Sequence, residues 1–194
     1  MKRRAELEEQ TRRRITESAV ALHEQVGPAQ TSISAIAERA GVRRSTVYRH
    51  FPDEEALFDA CSSHWRAANP PPDPRSWSSI DDPVERTRAA LREVYAFYGR
   101  TEAMYVSLLR DERLVPAVER RLRDFHGFLG SIRDGLTAGR GLRGRRAQLV
   151  RAAIGHALAF PTWRSLAREQ GLRNDDAVEL MCRLVEDAAS PARS

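Results

Sequence analysis

The chain has 194 residues, 41% hydrophobic and 30% charged, which suits a globular protein with one sizeable core or a small domain fused to a larger one. Its net charge of +5 favours acidic partners, yet the distribution locates none: residues 1–50 hold ten Lys or Arg against six Glu, residues 51–80 hold two against five acids, and the remainder is again net positive. The basic N-terminus lacks an apolar signal-peptide core and nowhere do 18 apolar residues run together, so the sequence predicts neither secretion nor a membrane span.

Residues 1–10, MKRRAELEEQ, read as a frayed start or short arm. From Gln10 to Val26 the apolar positions Ile15, Ala19, Leu22 and Val26 fall on one helical stripe, which Gly27 and Pro28 end. Near its start lie Arg12, Arg13 and Arg14, for which a solvated face competes with phosphate contact. Ile33, Ile36, Ala37 and Ala40 then mark a short amphipathic helix that Thr31 or Ser32 can cap, and Gly41 supplies the turn after it. A second short helix runs from Arg44 to His50, with Val47 and Phe51 facing the first, and Pro52 stops it. Two short helices around a glycine turn, with a basic and hydroxyl-rich outer face, describe a helix-turn-helix whose second helix enters the major groove of DNA.

Asp53 can cap a fourth helix with Leu57, Cys61 and Trp65 on its buried side, running to about Asn69. Residues 69–83, NPPPDPRSWSSIDDP, contain five prolines and read as a non-helical linker from which Trp77 folds back. Beyond it no alternating strand pattern appears. Val84 to Gly99 reads as one helix and Met104 to Leu109 as a shorter one. Val118, Leu122, Phe125, Leu129, Ile132 and Leu136 mark the cleanest amphipathic helix. Arg145 to Glu169 reads as a long helix, apolar on more than one side, which Pro161 kinks or breaks. A last helix spans Asp175 to Ala189, and the tail SPARS lies outside it. The fold class is therefore all-α with about nine helices: a helix-turn-helix head over 1–52, a connecting helix over 53–69 and a larger helical body over 70–194.

Cys61 and Cys182 fit no metal or redox spacing and read as core residues of a reduced, cytoplasmic protein. The sequence holds no GxSxG elbow, no Gly-rich phosphate loop after a strand and no HExxH, so an enzyme is not expected and no cofactor is implied.

The run T-S-I-S-x-I-A-x-x-A-G-V-x-x-x-T-V-Y-x-H-F-x-D-x-E-x-L, Thr31 to Leu57, closely resembles the DNA-binding domain of TetR-family transcriptional repressors. With the preceding helix the resemblance spans about 50 residues. It implies that Thr31, Ser32, Tyr48 and His50 contact the DNA backbone and that Ser34, Arg44, Ser45 and Thr46 face the groove. Arg44 can donate twice to a guanine, the Thr46 methyl can meet a thymine methyl, and Arg43 and Arg49 add charge beside the same groove. Tyr48 has a competing role in bracing the two helices. Two positions depart from the family pattern: Arg43 stands where a small capping residue is usual, and Glu54 where a lysine reaching a phosphate is common.

A recognition helix this short reads few base pairs, so a double-stranded operator calls for two heads and a homodimer. The helices 145–169 and 175–189 are the expected interface, by the family's four-helix arrangement. The resemblance also implies a pocket for an unspecified small-molecule effector in the body. Tyr95, Tyr98, Met104, Tyr105, Phe125, Phe128, His156, Phe160 and Trp163 are its candidates, with His126 and Thr162 as further polar groups, against the plain alternative that such aromatics are core. An effector that prefers a body conformation with misplaced heads weakens DNA binding, with the helix from Asp53 as the expected link. The alternative is a DNA-binding or partner-binding helical dimer without a ligand.

Overall fold

A computed structural model describes residues 2–190, so the last four residues of the tail SPARS lie outside the described region. Among the described residues there are ten α-helices and no strand. They form two compact units: residues up to Pro70 together with Thr101–Arg123, and Pro71–Arg100 together with residues from Asp124 onward.

The first unit holds α1 (Lys2–Gln25), a 3₁₀ turn (Pro28–Gln30), α2 (Ile33–Arg39), α3 (Arg44–His50) and α4 (Glu54–Ala68). Its core draws Ile15 and Ala19 from α1, Ile33, Ile36 and Ala37 from α2, Val47 from α3, Phe51 after it, and Leu57 and Cys61 from α4. Helix α1 begins at Lys2, so of the two readings of the first ten residues, a frayed start or a short arm, the helical one holds. Its first turns have no apolar stripe. Exposed i,i+4 pairs, Arg4 with Glu8 at 3.3 Å and Arg13 with Glu17 at 2.8 Å, give such a segment some support. Val26 falls just past the helix and is 38% exposed, so it is not part of the buried stripe.

The expected linker contains a single helical turn, α5 (Arg75–Ser78). Pro74 precedes it, Asp73 accepts from the Arg75 amide at 3.0 Å, and Trp77 is buried as expected. Helix α6 (Pro83–Asp111) runs unbroken where the sequence suggests two helices. Glycine inside a helix costs only about 1 kcal/mol. Buried Tyr95, Phe97 and Tyr98 before Gly99, and Thr101, Met104 and Tyr105 after it, outweigh that. Both α6 and α7 (Pro116–Thr137) contribute residues to the two units.

The remaining helices are α8 (Gly144–Leu158), α9 (Phe160–Arg164), which passes into a π turn (Ser165–Glu169), and α10 (Asn174–Ala189). The long helix expected over 145–169 is thus two helices, separated at Ala159, whose ψ of 134° is extended. Pro161 has no N–H for the Ala157 carbonyl and its ring crowds that carbonyl. The Tyr95 hydroxyl donates to Ala157 O at 2.9 Å and the Tyr98 hydroxyl to Leu158 O at 2.6 Å. Two tyrosines on α6 therefore supply the donors that the broken helix lacks. Joining two expected helices, splitting a third and adding α5 turns the expected nine into ten.

Candidate nucleic-acid interface

Local chemistry sets the start of α2. Ser32 has an extended backbone and its Oγ accepts from the Ala35 amide at 3.1 Å, the N-cap geometry that the sequence suggests. At the other end Gly41 takes φ +64°, its N–H bonds to Glu38 O and the Val42 N–H to Ala37 O, so the chain reverses into α3. Helix α3 starts less firmly. Arg43 is its N-cap and makes no side-chain capping bond, which is the consequence of a long cation in a position that suits a small hydroxyl. Its C-terminus closes with the Phe51 amide on Val47 O at 2.9 Å.

Seven residues at 1.5 Å rise make α3 about 10 Å long, with one buried residue, Val47. Arg44, Ser45, Tyr48 and Arg49 are exposed and form two i,i+4 neighbours on the side away from Val47. Arg43 and Ser34 are exposed beside them, while Thr46 and His50 are half-buried on the flank. Arg43, Arg44 and Arg49 have no ion pair or hydrogen bond within the described residues. Five donors on each planar fork are therefore available to an external acceptor.

The backbone-contact candidates separate. The Ser32 Oγ accepts within the chain and keeps its O–H for an outside acceptor. Thr31 donates its O–H to Gly27 O at 2.8 Å and is half-buried, so it has no side-chain proton for a phosphate in this conformation. Tyr48 is 43% exposed and presents its ring outward. His50 has a buried Nε2 without a partner, and its pKa is lowered first by burial and then by Arg49 and Arg12, which keeps the ring neutral near pH 7. Glu54 is exposed on the first turn of α4, which Asp53 caps through the Ala56 amide at 2.7 Å.

Arg12 has a role that the sequence does not reveal. Its Nη1 donates to His50 O at 2.8 Å, the last carbonyl of α3, and its guanidinium lies 4.3 Å from the Phe51 ring centre. A cation at a helix C-terminus is favourable, and here it ties α1 to α3. Nothing in local spacing links residues 38 apart. Arg13 pairs with Glu17, so Arg14 alone of the three has no described partner.

The nine pocket candidates divide between the two units. Tyr95, Tyr98, Phe125, Phe128, His156, Phe160 and Trp163 belong to the second unit; Met104 and Tyr105 belong to the first, where Tyr105 meets Trp65 edge-on at 6.2 Å. In the second unit Tyr98 contacts Phe160 at 5.2 Å and Trp163 at 5.7 Å, and Phe125 lies between Phe97 and Phe128. Trp163 is fully buried and its indole N–H donates to Asn174 Oδ1 at 3.0 Å. His156 and His126 are exposed, and the Thr162 hydroxyl lies 3.3 Å from His156 Nδ1. A cleft of about 260 Å³ opens in the first unit, lined by Ile33, Ile36, Leu57, Phe58 and Pro116 among others, and none of the nine lines it. The described helices include none long and apolar enough to cross a membrane, and no cluster of metal-ligating side chains occurs among them.

Residues 15–61 match the family described as bacterial regulatory proteins, tetR family. No curated protein matches the sequence. The fold is similar to that of a TetR-like transcriptional regulator from Rhodococcus sp. RHA1, at 19% identity and TM-score 0.64, covering 91% of this chain and 93% of that one. It is also similar to NalD, the secondary repressor of the MexAB-OprM multidrug efflux pump in Pseudomonas aeruginosa, at 20% identity and TM-score 0.61 over 93% and 96% of the two chains. A third likeness is to the multidrug binding protein EbrR in complex with imidazole, at 22% identity and TM-score 0.54 over 95% and 93%. Residues 15–61, from within α1 to within α4, therefore match a tetR-family regulatory segment, and along most of its length the chain shares the fold of the solved TetR-like regulators.

Proposed function

We propose that the protein is a cytoplasmic homodimeric repressor that binds an inverted-repeat operator through Arg44, Ser45, Tyr48 and Arg49 in successive major grooves, with Arg43, Ser32 and Ser34 on the flanks. Thr46 and His50 sit at the edge of that contact. The observation that carries this reading is the outer face of α3, where exposed arginines and hydroxyls have no partner among the described residues and the helix packs through Val47 beside the capped α2. A helix about 10 Å long reads few base pairs, so two copies spaced by a helical turn, ~34–36 Å, are required for a useful site. Support for pairing comes from α8 and α10. They pack on each other and bury Val150, Ile154, Val178 and Val185, yet leave Leu149, Leu180 and Leu184 42–47% exposed. Large apolar side chains on two neighbouring helices suit a four-helix interface with a second copy.

Release by an apolar or amphipathic effector completes the reading; the similar fold of the multidrug binding protein EbrR, in complex with imidazole, supports a small-molecule ligand. A second reading, a DNA-binding dimer without an effector, is favoured by one observation. Both tyrosine hydroxyls of the aromatic cluster are already bonded, and Tyr95, Tyr98 and Trp163 are fully buried against their neighbours.

The test is enrichment of a random duplex library by the purified protein at near-physiological salt. An inverted repeat of fixed spacing is the expected outcome; salt-sensitive retention without a motif would remove the operator reading. With the operator in hand, a panel of amphipathic compounds that never shifts its affinity would favour the second reading.

A further inference from the structure

The end of α6 grips the turn that leads into the helix-turn-helix. Asp111 is buried, with its side chain 2% exposed, and its Oδ2 accepts from the Ala29 amide at 3.0 Å. Arg110 donates through Nε to Asp111 Oδ1 at 2.8 Å and through Nη2 to Asp111 Oδ2 at 3.3 Å. The same Nη2 donates to Val26 O at 2.6 Å, a carbonyl left over at the C-terminus of α1. One side chain thus satisfies a carbonyl before the turn and the next satisfies an amide after it. Gly27 lies between these two bonds with φ +88°, and a Cβ there would stand 2.0 Å from Arg110 Nη2 and 2.3 Å from Asp111 Oδ2. Gly27 is therefore required twice, by its own backbone and by the two groups that close over it.

We infer that Arg110 and Asp111 are positioning residues for operator binding, which clasp the α1–α2 turn and so set the pitch of α2 and α3; the inference rests on the DNA-binding reading above. The turn fixes everything after it. Gly27 O accepts from the Thr31 hydroxyl at 2.8 Å, and Pro28 O accepts from the Thr31 amide at 3.2 Å. Ser32 then caps α2, and Ile36 and Val47 lock α3 to it in the core. The neighbouring turns of α6 add to the grip, with the Ser107 hydroxyl donating to Glu24 O at 3.3 Å. Neither Arg110 nor Asp111 belongs to the outer face of α3. Removing them leaves the Ser32 cap and the apolar core intact and frees only the turn. An ion pair with one half-exposed partner adds little net stability, but its directional bonds define one geometry for the backbone they hold.

The test compares affinity for the selected inverted repeat and for a motif-free duplex, at one salt concentration, in the parent chain and in Arg110→Met, Arg110→Lys and Asp111→Asn. The Arg110 side chain is 48% exposed, which makes its replacement compatible with folding. Arg110→Met is expected to lose about tenfold in operator affinity, the worth of one charge-assisted hydrogen bond, with motif-free binding unchanged within twofold. Arg110→Lys keeps a donor for Val26 O and recovers most of the loss. Asp111→Asn keeps an oxygen for the Ala29 amide, loses the ion pair and falls between. Operator affinity within twofold of the parent in Arg110→Met overturns the inference, as does an equal fall on both duplexes. If the parent itself enriches no inverted repeat, the operator reading has failed instead, and the two failures are told apart by that control.

Discussion

Arginine does opposite things in the two units. On α3 of the first unit, Arg43, Arg44 and Arg49 face outward with no partner among the described residues. In the second unit Arg88 pairs with Glu85 and Glu179, and Asp134 joins Arg133 and Arg151. Arg140 there is 4% exposed and donates to Leu136 O, Pro83 O, Thr87 and Glu186. Arg143, Arg145 and Arg146 at the start of α8 have no partner among the described residues either, but they flank a glycine turn and not a helix packed beside a capped neighbour. What distinguishes the proposed DNA-reading surface is therefore not the number of cations, which is similar in both units, but cations without internal acceptors on a packed helix.

The sharpest way to break this contrast is to separate the two copies that the second unit is proposed to join. Leu184→Glu or Leu149→Glu, placing a charge in the exposed apolar face of α10 or α8, should give a monomer by sedimentation equilibrium. Operator affinity should fall by about 100-fold or more, because the second head no longer binds as a tethered partner. An unchanged mass would show that another face carries assembly.

The next effect concerns stability of the first unit. Burial pushes His23 down to about 4 from its ordinary 6.5, so the folded chain keeps the ring neutral where the unfolded chain protonates it. Between those two values the unfolded state binds more protons. Stability is then fully present above pH 6.5, falls as pH drops toward 4, and His23 takes no more from it below that. The loss is about 3 kcal/mol over the window. Asp111, held below the ordinary carboxylate range mainly by Arg110, contributes only at lower pH still, where protonation ends its ion pair. Urea unfolding at pH 7 and pH 4.5 should show the drop, and a His23→Gln chain should show a flatter profile.

Arg44→Ala and Arg88→Ala compare the two kinds of arginine directly. Loss of a bidentate base contact should cost ~1–3 kcal/mol of operator affinity and relax the preference at one position. Arg88→Ala should leave DNA binding alone and lower stability by ~1 kcal/mol or less. Equal effects of the two on operator affinity would erase the distinction drawn here. Smallest is Arg43→Ser, which supplies the cap that α3 lacks. It should stabilise the fold by about 0.5–1 kcal/mol while the salt dependence of DNA binding weakens by about one phosphate contact.

What the sequence revealed and what it hid divides along the range of the forces involved. Ser32, Gly41, Pro52 and Asp53 act on backbone groups three or four residues away, so α2, α3 and the start of α4 were legible. The same holds for Arg43, whose unsuitability as a cap is visible in its side chain alone. Gly99 misled, because its helix penalty is small beside the burial of the residues flanking it. Pro161 announced a break but not its place. The chain opens two residues earlier, where tyrosines about 60 positions away in α6 can reach the carbonyls. Arg12 on the last carbonyl of α3 and Asp111 on the Ala29 amide are likewise contacts between distant positions, which no local period encodes. The pocket was implied by the family resemblance and its candidates were largely the aromatics of the body, which gather in cores as readily as in cavities.

Pro161, Tyr95 and Tyr98 cannot drift independently. While proline occupies 161, phenylalanine at 95 would leave the Ala157 carbonyl buried without a donor, a loss of about 1–3 kcal/mol. Once a residue with an amide hydrogen replaces the proline, that carbonyl can regain a helical partner and the hydroxyl becomes dispensable. The order of substitution therefore matters. A lineage can shed the proline and then the tyrosines, but one that has already lost the tyrosines meets the full penalty on taking the proline back, so the bend in this helix acts as an evolutionary ratchet.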